Sequence, residues 1–332
     1  MTQDPELAQP RPGGAATGSA PAVDHDPEAV WELHEHVGLV HEVGRLRELL
    51  DAWADAADPE AREMLRYQLA GRAKHFRPVT MFACHRAATG APTPERVVQL
   101  AAAIELFHNY TLVIDDIVDR DRYRRGQLTL HCRYGSTPAI AVGAYLAYGA
   151  AGLIHDDEYA CRVFMELGER IVVAECRQWR VRRRALGVDE WRRLAGEDTG
   201  AMFEACARAA VRDGTLDRFA YLLGTLYHGC DDVADIRGTL ALGTESEKDV
   251  TDRILTLPAA IATLDPATRE LYEQGGPEVD EELAERLTEA LAEAEAVLDA
   301  IAREAEDEAR GSAAHPDGLV RLVRYTRALS AV

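Results

Sequence analysis

Two short segments of this chain each carry three aspartates in the spacing DDxxD. The six residues are Asp115, Asp116 and Asp119 in LVIDDIVDRDRYRRG (112–126), and Asp231, Asp232 and Asp235 in GCDDVADIRG (229–238). On a helix, positions i and i+4 share a face, so the outer carboxylates of each motif can ligate one hard divalent cation. A single such motif in an acidic protein is typical of a solvated helix face. Two copies, with the first in an apolar stretch, predict a metal site formed by these aspartates.

Basic residues near the first motif indicate which ligand the metal would hold. The arginines that follow it are Arg120, Arg122, Arg124 and Arg125. Adjacent aspartate-rich and arginine-rich turns suit a metal-bound diphosphate, because metal ions bridge carboxylates to phosphate oxygens while guanidinium groups take the remaining oxygens. Upstream, AKHFRP (73–78) carries Lys74 and Arg77 three positions apart, which predicts a second anion site. Lys74 is conspicuous because only it and Lys248 are lysines among 37 basic residues.

Composition narrows the functional classes. The 332 residues carry 37 basic and 57 acidic side chains, a net charge of −20. A chain this acidic lacks the field that attracts nucleic acid or anionic lipid, so an anion must be bound by local basic groups or through metal. We found neither a leader pattern nor a run of 18 apolar residues, and we expect a cytoplasmic protein without stable membrane insertion. Six scattered cysteines without a CxxC pair argue against a zinc cage or a disulfide framework.

Hydrophobic periodicity predicts an all-α fold. Residues 1–26 are rich in Pro, Gly and Ala and are expected to form a disordered tail. From there to residue 332, apolar residues recur at helical spacing, as in Leu39, Val43, Leu46 and Leu50, and strand-like alternation is scarce. We therefore predict one domain, 27–332, of roughly ten or more helices. The arginine run at 177–193 is interpreted as a solvated helix face rather than a nucleic-acid patch.

Several of these segments together resemble one family, the trans-isoprenyl (polyprenyl) diphosphate synthases. The resemblance spans about residues 71–258 and follows the order and spacing of the motifs. Residues 105–135 resemble the family's first aspartate-rich region, and LYHGCDDVADIRG with KDVTDRILTLP resembles its second. AKHFRP resembles the GKRxRP element, and AECRQW (174–179) resembles a GExxQ helix.

The resemblance implies an all-α bundle of the isoprenoid synthase type around a deep central cavity, in a protein that forms a homodimer. The two aspartate motifs would face each other across the cavity mouth and hold three Mg²⁺ ions on an allylic diphosphate. The allylic C–O bond would ionise, and isopentenyl diphosphate would attack the cation. The implied catalytic residues are Asp115, Asp119, Asp231, Thr199 and Arg124.

The resemblance also implies a set of substrate-binding residues. Lys74, Arg77, His108 and Arg125 would bind isopentenyl diphosphate, and Arg124 would help to hold the allylic diphosphate. Thr199 and Tyr227 would line the cavity. Tyr110 lies five positions before Asp115, where a bulky ring limits chain growth in the family. With the unexpanded DDxxD spacing, this predicts products of about C15–C20.

The chain differs from the family at positions that would bind the allylic diphosphate. Lysines are expected where it has Asp198, Thr244-Glu245 and Ile254. Lys248 and Arg253 are near enough in sequence to replace the last two lysines, but nothing nearby replaces the first. His228 occupies the place of a glutamine, as either a core histidine or a site residue.

Three functions remain open from the sequence. The first is a prenyltransferase that condenses an allylic diphosphate with isopentenyl diphosphate. The second is a terpene-cyclase-like lyase, which needs the metal motifs but no isopentenyl diphosphate site. The third is a non-catalytic, regulatory subunit of a prenyl diphosphate synthase, which has no physical need for six clustered carboxylates.

Overall fold

The helices follow one another through most of the chain. The computed structural model describes residues 33–71, 73–238 and 248–331; the predicted disordered tail, 1–26, lies outside them. The helices are α1 (33–36), α2 (Val40–Ala56), α3 (Pro59–Leu69), α4 (Phe76–Thr89), α5 (Glu95–Val118), α6 (Leu130–Tyr134), α7 (Ser136–Ile154), α8 (Glu158–Val181), α9 (Val188–Ala195), α10 (Ala201–Val211), α11 (Asp217–Arg237), α12 (Lys248–Asp252), α13 (Leu257–Ala262), α14 (Pro266–Gln274), α15 (Asp280–Glu289), α16 (Leu291–Ser312) and α17 (Asp317–Ala328). Single-turn 3₁₀ segments are Pro277–Val279 and Leu329–Ala331, and a π-helical segment, Gly196–Gly200, joins α9 to α10. The all-α prediction is confirmed.

Local sequence explains where several helices begin. Asp58, Asp157 and Asp265 each precede a helix and accept a hydrogen bond from a backbone N–H of its first turn. Such side chains satisfy amide groups that have no partner within the helix. Proline follows Asp58 and Asp265 directly, at a position where its missing N–H does no harm.

Helix α5 is the central element of the core. It packs against α7 most extensively and also against α2 and α4, while α11 packs against α10 and α16. Both α5 and α7 are long and apolar enough to span a membrane, although we had expected no such run. The most apolar window of α5 is 72% buried, as in the core helix of a soluble protein, whereas that of α7 is only 33% buried.

A short hairpin interrupts the helices directly after α5. Its strands, β1 (Tyr123–Arg124) and β2 (Gln127–Leu128), pair in antiparallel register with Arg124 opposite Gln127. The two turn residues, Arg125 and Gly126, have φ values of 53° and 79°. A two-residue turn with positive φ at both positions fits the twist of a tight hairpin, which explains the glycine in RRG. The hairpin reverses the chain beside α5.

Candidate active site

The two aspartate motifs lie at the C-terminal ends of α5 and α11, each in helical conformation as the DDxxD spacing predicts. A helix C-terminus carries partial negative charge, so carboxylates there are unfavourable unless cations are near. The last turn of α5, which is fully described, carries no basic residue. The last turn of α11 carries Arg237, but this guanidinium pairs with Glu295 at 2.7 Å, so both motifs call for cations supplied by other segments or by bound metal.

Two residues connect the motifs electrostatically. Burial raises the pKa of Asp115 in the first motif to about 8, and the charge of Asp198, in the π-helical segment, adds to this shift. Arg124, on the hairpin after the first motif, acts on Asp231 of the second. The structure thus brings the ends of α5 and α11 to one site.

The middle aspartate of each motif is buried and bonded to the protein itself. Asp116 accepts a hydrogen bond from Arg124 Nε. Asp232 Oδ2 accepts hydrogen bonds from Trp191 Nε1 at 2.7 Å and from the Leu257 backbone N–H at 2.8 Å. Each of these two aspartates thus uses one carboxylate oxygen for contacts within the protein, and the expectation that they are metal ligands stays a prediction. These bonds position the hairpin, α9 and the start of α13, and the outer aspartates are the more accessible candidate ligands.

The outer aspartates remain partly exposed and fit a metal ion chemically. They are Asp115, Asp119, Asp231 and Asp235. Burial raises the pKa of Asp231 to about 6, and its Oδ1 is buried without a hydrogen-bond partner among the described residues. A desolvated carboxylate oxygen of this kind is a suitable ligand for a hard cation. Within the described ranges, no group of three ligating side chains surrounds a single point. Mg²⁺ commonly combines one or two carboxylates with substrate phosphate oxygens, so the donor set fits a metal that arrives with a diphosphate.

The residues expected to bind isopentenyl diphosphate form one basic cluster. Arg77 NH1 lies 3.0 Å from Nε2 of the buried His108. Burial and the charge of Arg77 hold the pKa of His108 well below its usual value, so this imidazole is neutral and accepts the hydrogen bond. Arg125 and Lys74 lie close enough to influence each other, and burial lowers the pKa of Lys74.

Asp198, Thr199 and His228 form a hydrogen-bonded group between the motifs. His228 Nδ1 lies 2.9 Å from Thr199 Oγ1 and 3.5 Å from Asp198 Oδ2, and its Nε2 lies 3.7 Å from Asp232 Oδ1. Burial disfavours the charged imidazole, but Asp232 and Asp198 outweigh it and raise the pKa of His228 to about 9. Although burial works against the Asp198 carboxylate, His228 holds the pKa of Asp198 below its usual value. His228 thus pairs with charged groups of the site.

Close helix packing holds this group in place. A Cβ added to Gly224 on α11 would lie 2.8 Å from the Cα of Gly200 and 2.9 Å from the Thr199 carbonyl oxygen. Only glycine permits this approach without a shift of the backbone. The π-helical geometry of Gly196–Gly200 resembles the single-turn bulges that proteins often carry at functional sites.

The two aromatic candidates, Tyr227 and Tyr110, each pack against another aromatic ring. Tyr227 packs against Phe76, with ring centroids 4.9 Å apart, and burial raises the pKa of Tyr227 to about 12. Tyr110 contacts Phe107, with centroids 5.8 Å apart. On its other side Tyr110 faces α7, where a Cβ added to Gly143 would lie 3.6 Å from the Tyr110 ring.

Of the two substitutes expected for the missing lysines, Arg253 does not face the site. It is fully buried, and its NH1 lies 2.7 Å from Asp280 Oδ1 at the start of α15. The expectation that Arg253 replaces a lysine is wrong, because this ion pair commits its guanidinium to the packing of α15. Ile254 is partly buried. Thr244-Glu245 and the Lys248 side chain lie outside the described part of the chain.

Arg182, directly after α8, is a site residue that the sequence analysis missed. Its NH2 lies 3.8 Å from Asp119 Oδ1, its NH1 lies 3.4 Å from Asp252 Oδ2, and its Cζ lies 3.8 Å from the centre of the Trp179 ring. It belongs to the arginine run that we interpreted as a solvated face. The one sequence feature that could have singled it out is the tryptophan three residues earlier.

Fold and site together define an all-α protein in which two acidic helix ends and a basic cluster form one site suited to metal-bound diphosphates. The chain belongs to the polyprenyl synthetase family, whose model matches residues 58–293. This confirms the resemblance derived from the motifs. Relatives in the family are named as prenyl diphosphate synthases, which are transferases, and this chain is an enzyme of that type.

Individual relatives are distant. The geranylfarnesyl diphosphate synthase of Aeropyrum pernix is 29% identical over 235 residues, covering 63% of this chain and 72% of that protein. The nonaprenyl diphosphate synthase of Mycobacterium tuberculosis is 28% identical over 235 residues, covering 66% and 69%. Relatives thus make products of very different length.

Solved structures share the fold at low identity. The heptaprenyl diphosphate synthase of Staphylococcus aureus superposes with a TM-score of 0.79 at 21% identity, covering 88% of this chain and 98% of that one. A polyprenyl synthase of Caulobacter crescentus, complexed with calcium and isoprenyl diphosphate, gives 0.78 at 20% identity, with 90% and 97% covered. The family uses a divalent metal.

Proposed function

We propose that this protein is a Mg²⁺-dependent prenyltransferase that condenses an allylic diphosphate with isopentenyl diphosphate to a short-chain prenyl diphosphate. The observation that carries the proposal is the coexistence of two sites: outer aspartates from α5 and α11, and the basic cluster of Lys74, Arg77, Arg125 and His108 beside them. A transferase needs both, one for each diphosphate.

The outer aspartates are the proposed ligands of three Mg²⁺ ions, which would bind the allylic diphosphate. Bound metal supplies Lewis-acid stabilisation of the departing diphosphate. Asp115, Asp119 and Asp231 would hold that metal and thereby fix the position of the diphosphate, and the electron pair of the breaking C–O bond leaves with the diphosphate. Binding geometry of this kind is worth several kcal/mol, because a displaced leaving group loses its alignment.

The basic cluster holds the second substrate. Lys74, Arg77 and Arg125 bind the diphosphate of isopentenyl diphosphate, while the neutral His108 accepts a hydrogen bond from Arg77 and fixes its guanidinium. The double bond of this substrate then attacks the allylic cation, and a proton is lost to the released diphosphate. The buried rings of Phe76 and Phe203 and the partly buried ring of Tyr227 exclude water from the cation.

Tyr110 is the proposed limit on product length. It lies on α5 one to two turns before Asp115, and its ring fills the space between Phe107 and Gly143. A ring that fills this space blocks further growth of the isoprenoid tail, which supports products of about C15–C20.

A terpene-cyclase-like lyase is the second candidate, and one observation favours it. Asp198 introduces a carboxylate beside Asp115, where the resembled family has a lysine for the allylic diphosphate. A lyase would leave the isopentenyl diphosphate cluster unused, however, and Arg77 and His108 are arranged as a bonded pair. For a regulatory subunit, the buried carboxylates would destabilise the fold without serving catalysis.

We further propose that a second copy of the chain covers the exposed apolar face of α7 and α8. Tyr148 is 79% exposed on α7, and Met165, Val172 and Val173 are 69%, 63% and 58% exposed on α8. The last three share one face of that helix. Apolar area of this kind is typical of subunit interfaces, and a homodimer buries the same face of both copies.

Product analysis tests the proposed reaction. Purified protein is incubated with Mg²⁺ and allylic diphosphates, with and without isopentenyl diphosphate. Longer diphosphates that require isopentenyl diphosphate support the transferase. Hydrocarbons or alcohols formed without it support the lyase, and no turnover supports the subunit.

A further inference from the structure

Arg182 lies at the meeting point of three segments of the candidate site. Its guanidinium stacks on Trp179 of α8, faces Asp119 at the end of α5, and reaches Asp252 at the end of α12. Burial restricts it, since its side chain is only 18% exposed. The tryptophan ring acts as a platform that fixes the plane of the guanidinium.

The hydrogen-bonding capacity of Arg182 is largely unused. A guanidinium offers five N–H donors. The distance to Asp252 is 3.4 Å and that to Asp119 is 3.8 Å, both long for a charge-assisted hydrogen bond. Its Nε is buried without a partner among the described residues. A fixed, desolvated guanidinium in this state is prepared for a ligand with more closely placed oxygens.

Arg124, the arginine expected to hold the allylic diphosphate, already contacts two aspartates. Arg124 donates through Nε to Asp116 and through NH2 to Asp121 at 3.3 Å. These contacts use two of its three nitrogens, and its expected role at the allylic diphosphate stays a prediction. Arg182 is a half-buried guanidinium beside the outer aspartate Asp119, and its described contacts leave N–H donors available.

Carboxylates surround Arg182, so a diphosphate that binds here needs a cation to offset their negative charge. Asp119 and Glu175 lie near Arg182, and Asp198 lies near Glu175. Burial and the charges of Asp198 and Asp119 raise the pKa of Glu175. One of the lysines expected to bind the allylic diphosphate is replaced by Asp198. Arg253, which was expected to replace another of these lysines, is buried against Asp280. An allylic diphosphate that enters this region meets mainly carboxylates.

We propose that Arg182 binds the diphosphate of the allylic substrate and determines affinity on the allylic side. Two of its N–H groups, presented as a fork above Trp179, donate to diphosphate oxygens, and this role replaces that of the absent lysines. The proposal rests on the proposed function, because it assigns a residue to the allylic half of that same site.

Binding and kinetics of matched variants test the proposal. Arg182→Gln removes the charge, Arg182→Lys keeps the charge but not the fork, and Arg180→Gln is the control on the exposed face of the same helix. The probe is an uncleavable allylic thiolodiphosphate, titrated by calorimetry with Mg²⁺ present. KM is then measured separately for the allylic and the isopentenyl substrate.

We expect Arg182→Gln to weaken thiolodiphosphate binding and to raise the allylic KM by about tenfold or more. Arg182→Lys recovers part of this loss, while the KM for isopentenyl diphosphate and the behaviour of Arg180→Gln stay at the wild-type level. Unchanged thiolodiphosphate affinity in both Arg182 variants overturns the assignment.

Two further outcomes distinguish substrate binding by Arg182 from a purely structural role and from a failure of the proposed function. If Arg182→Gln lowers the melting temperature and raises the KM for both substrates equally, Arg182 only stabilises the packing of α8 against α12. This outcome also overturns the assignment. If Arg182→Gln does not fold, Arg182→Lys decides by the same titration. If the wild-type protein binds no allylic probe, the proposed function itself is contradicted. A binding defect that is confined to the Arg182 variants leaves the proposed function intact.

Discussion

Asp198 Oδ2 and His228 Nδ1 face each other at 3.5 Å between the two aspartate motifs. The resembled family has lysine and glutamine at these positions, so two departures from its pattern meet in one contact. The carboxylate added beside Asp115 is paired with an imidazole, and an unpaired buried charge is avoided.

This pairing predicts how the two residues respond to substitution. Asp198→Lys removes a negative charge and adds a positive one near the allylic diphosphate, so the allylic KM should fall about tenfold. Because a lysine there would lie beside His228, the double variant with His228→Gln should bind the allylic substrate more tightly than either single variant. Steady-state kinetics with each substrate varied in turn measures the effect.

The matched control for the charge change is Asp307→Lys, at a side chain that is 82% exposed. It should leave both KM values unchanged, and the isopentenyl KM should stay constant in all variants. An allylic KM that is the same in wild type, Asp198→Lys and the double variant would contradict this reading of the pair.

Tyr110 is predicted to set product length. Tyr110→Ala removes the ring that lies between Phe107 and Gly143, so the growing tail should extend further and the main product should lengthen by one or more isoprene units. Reversed-phase chromatography of the dephosphorylated products measures the distribution. Thr111→Ala, at the next position and hence on another helix face, is the control. An identical product profile for Tyr110→Ala and wild type would show that the ring only packs between α5 and α7.

Asp157 provides a test of stability that is independent of catalysis. Burial would raise its pKa, but hydrogen bonds from the Ala160 N–H, Arg212 and Arg96 outweigh burial and lower the pKa of Asp157 to about 2. A carboxyl group whose pKa is lower in the folded state stabilises that state above its unfolded pKa of 3.8, and the contribution is lost as pH falls toward 2.

Asp157→Asn should therefore lower the free energy of unfolding by about 1 kcal/mol at neutral pH, a value that allows for solvent screening. The difference from wild type should narrow as the pH falls below about 4. Denaturant titrations across this range measure it. A destabilisation of the same size at every pH would show that charge plays no part.

The face formed by α7 and α8 is predicted to join two copies of the chain. Val172→Glu places a charge on this face and should shift the protein from dimer to monomer in size-exclusion chromatography with light scattering. Val40→Glu is the matched control, since Val40 is 52% exposed and Val172 63%. Wild-type protein that elutes as a monomer, or a Val172→Glu variant that remains dimeric, would rule out this interface.

The sequence predicted the helical fold and the two aspartate motifs well, because periodicity and spacing are local properties. It did not separate the roles within each motif. Asp232 is bound by Trp191 and by the Leu257 backbone, 41 and 25 positions away, and no local pattern reveals these partners. The same holds for Arg253, whose burial depends on Asp280, and for Arg182, whose position depends on where α8 ends. Contacts between distant segments decide which charged residues face the substrate.

We propose that this site joins two diphosphate substrates in a metal-dependent transfer. The most direct measurement follows isotope-labelled isopentenyl diphosphate into product by mass spectrometry, with an allylic diphosphate and with Mg²⁺ present or chelated. We predict labelled, longer prenyl diphosphates that require Mg²⁺, and loss of most of this activity in Asp115→Ala and in Asp231→Ala, by several kcal/mol in transition-state stabilisation. Unlabelled hydrocarbon or alcohol products, or full activity of Asp231→Ala, would contradict a metal-dependent transfer at this site.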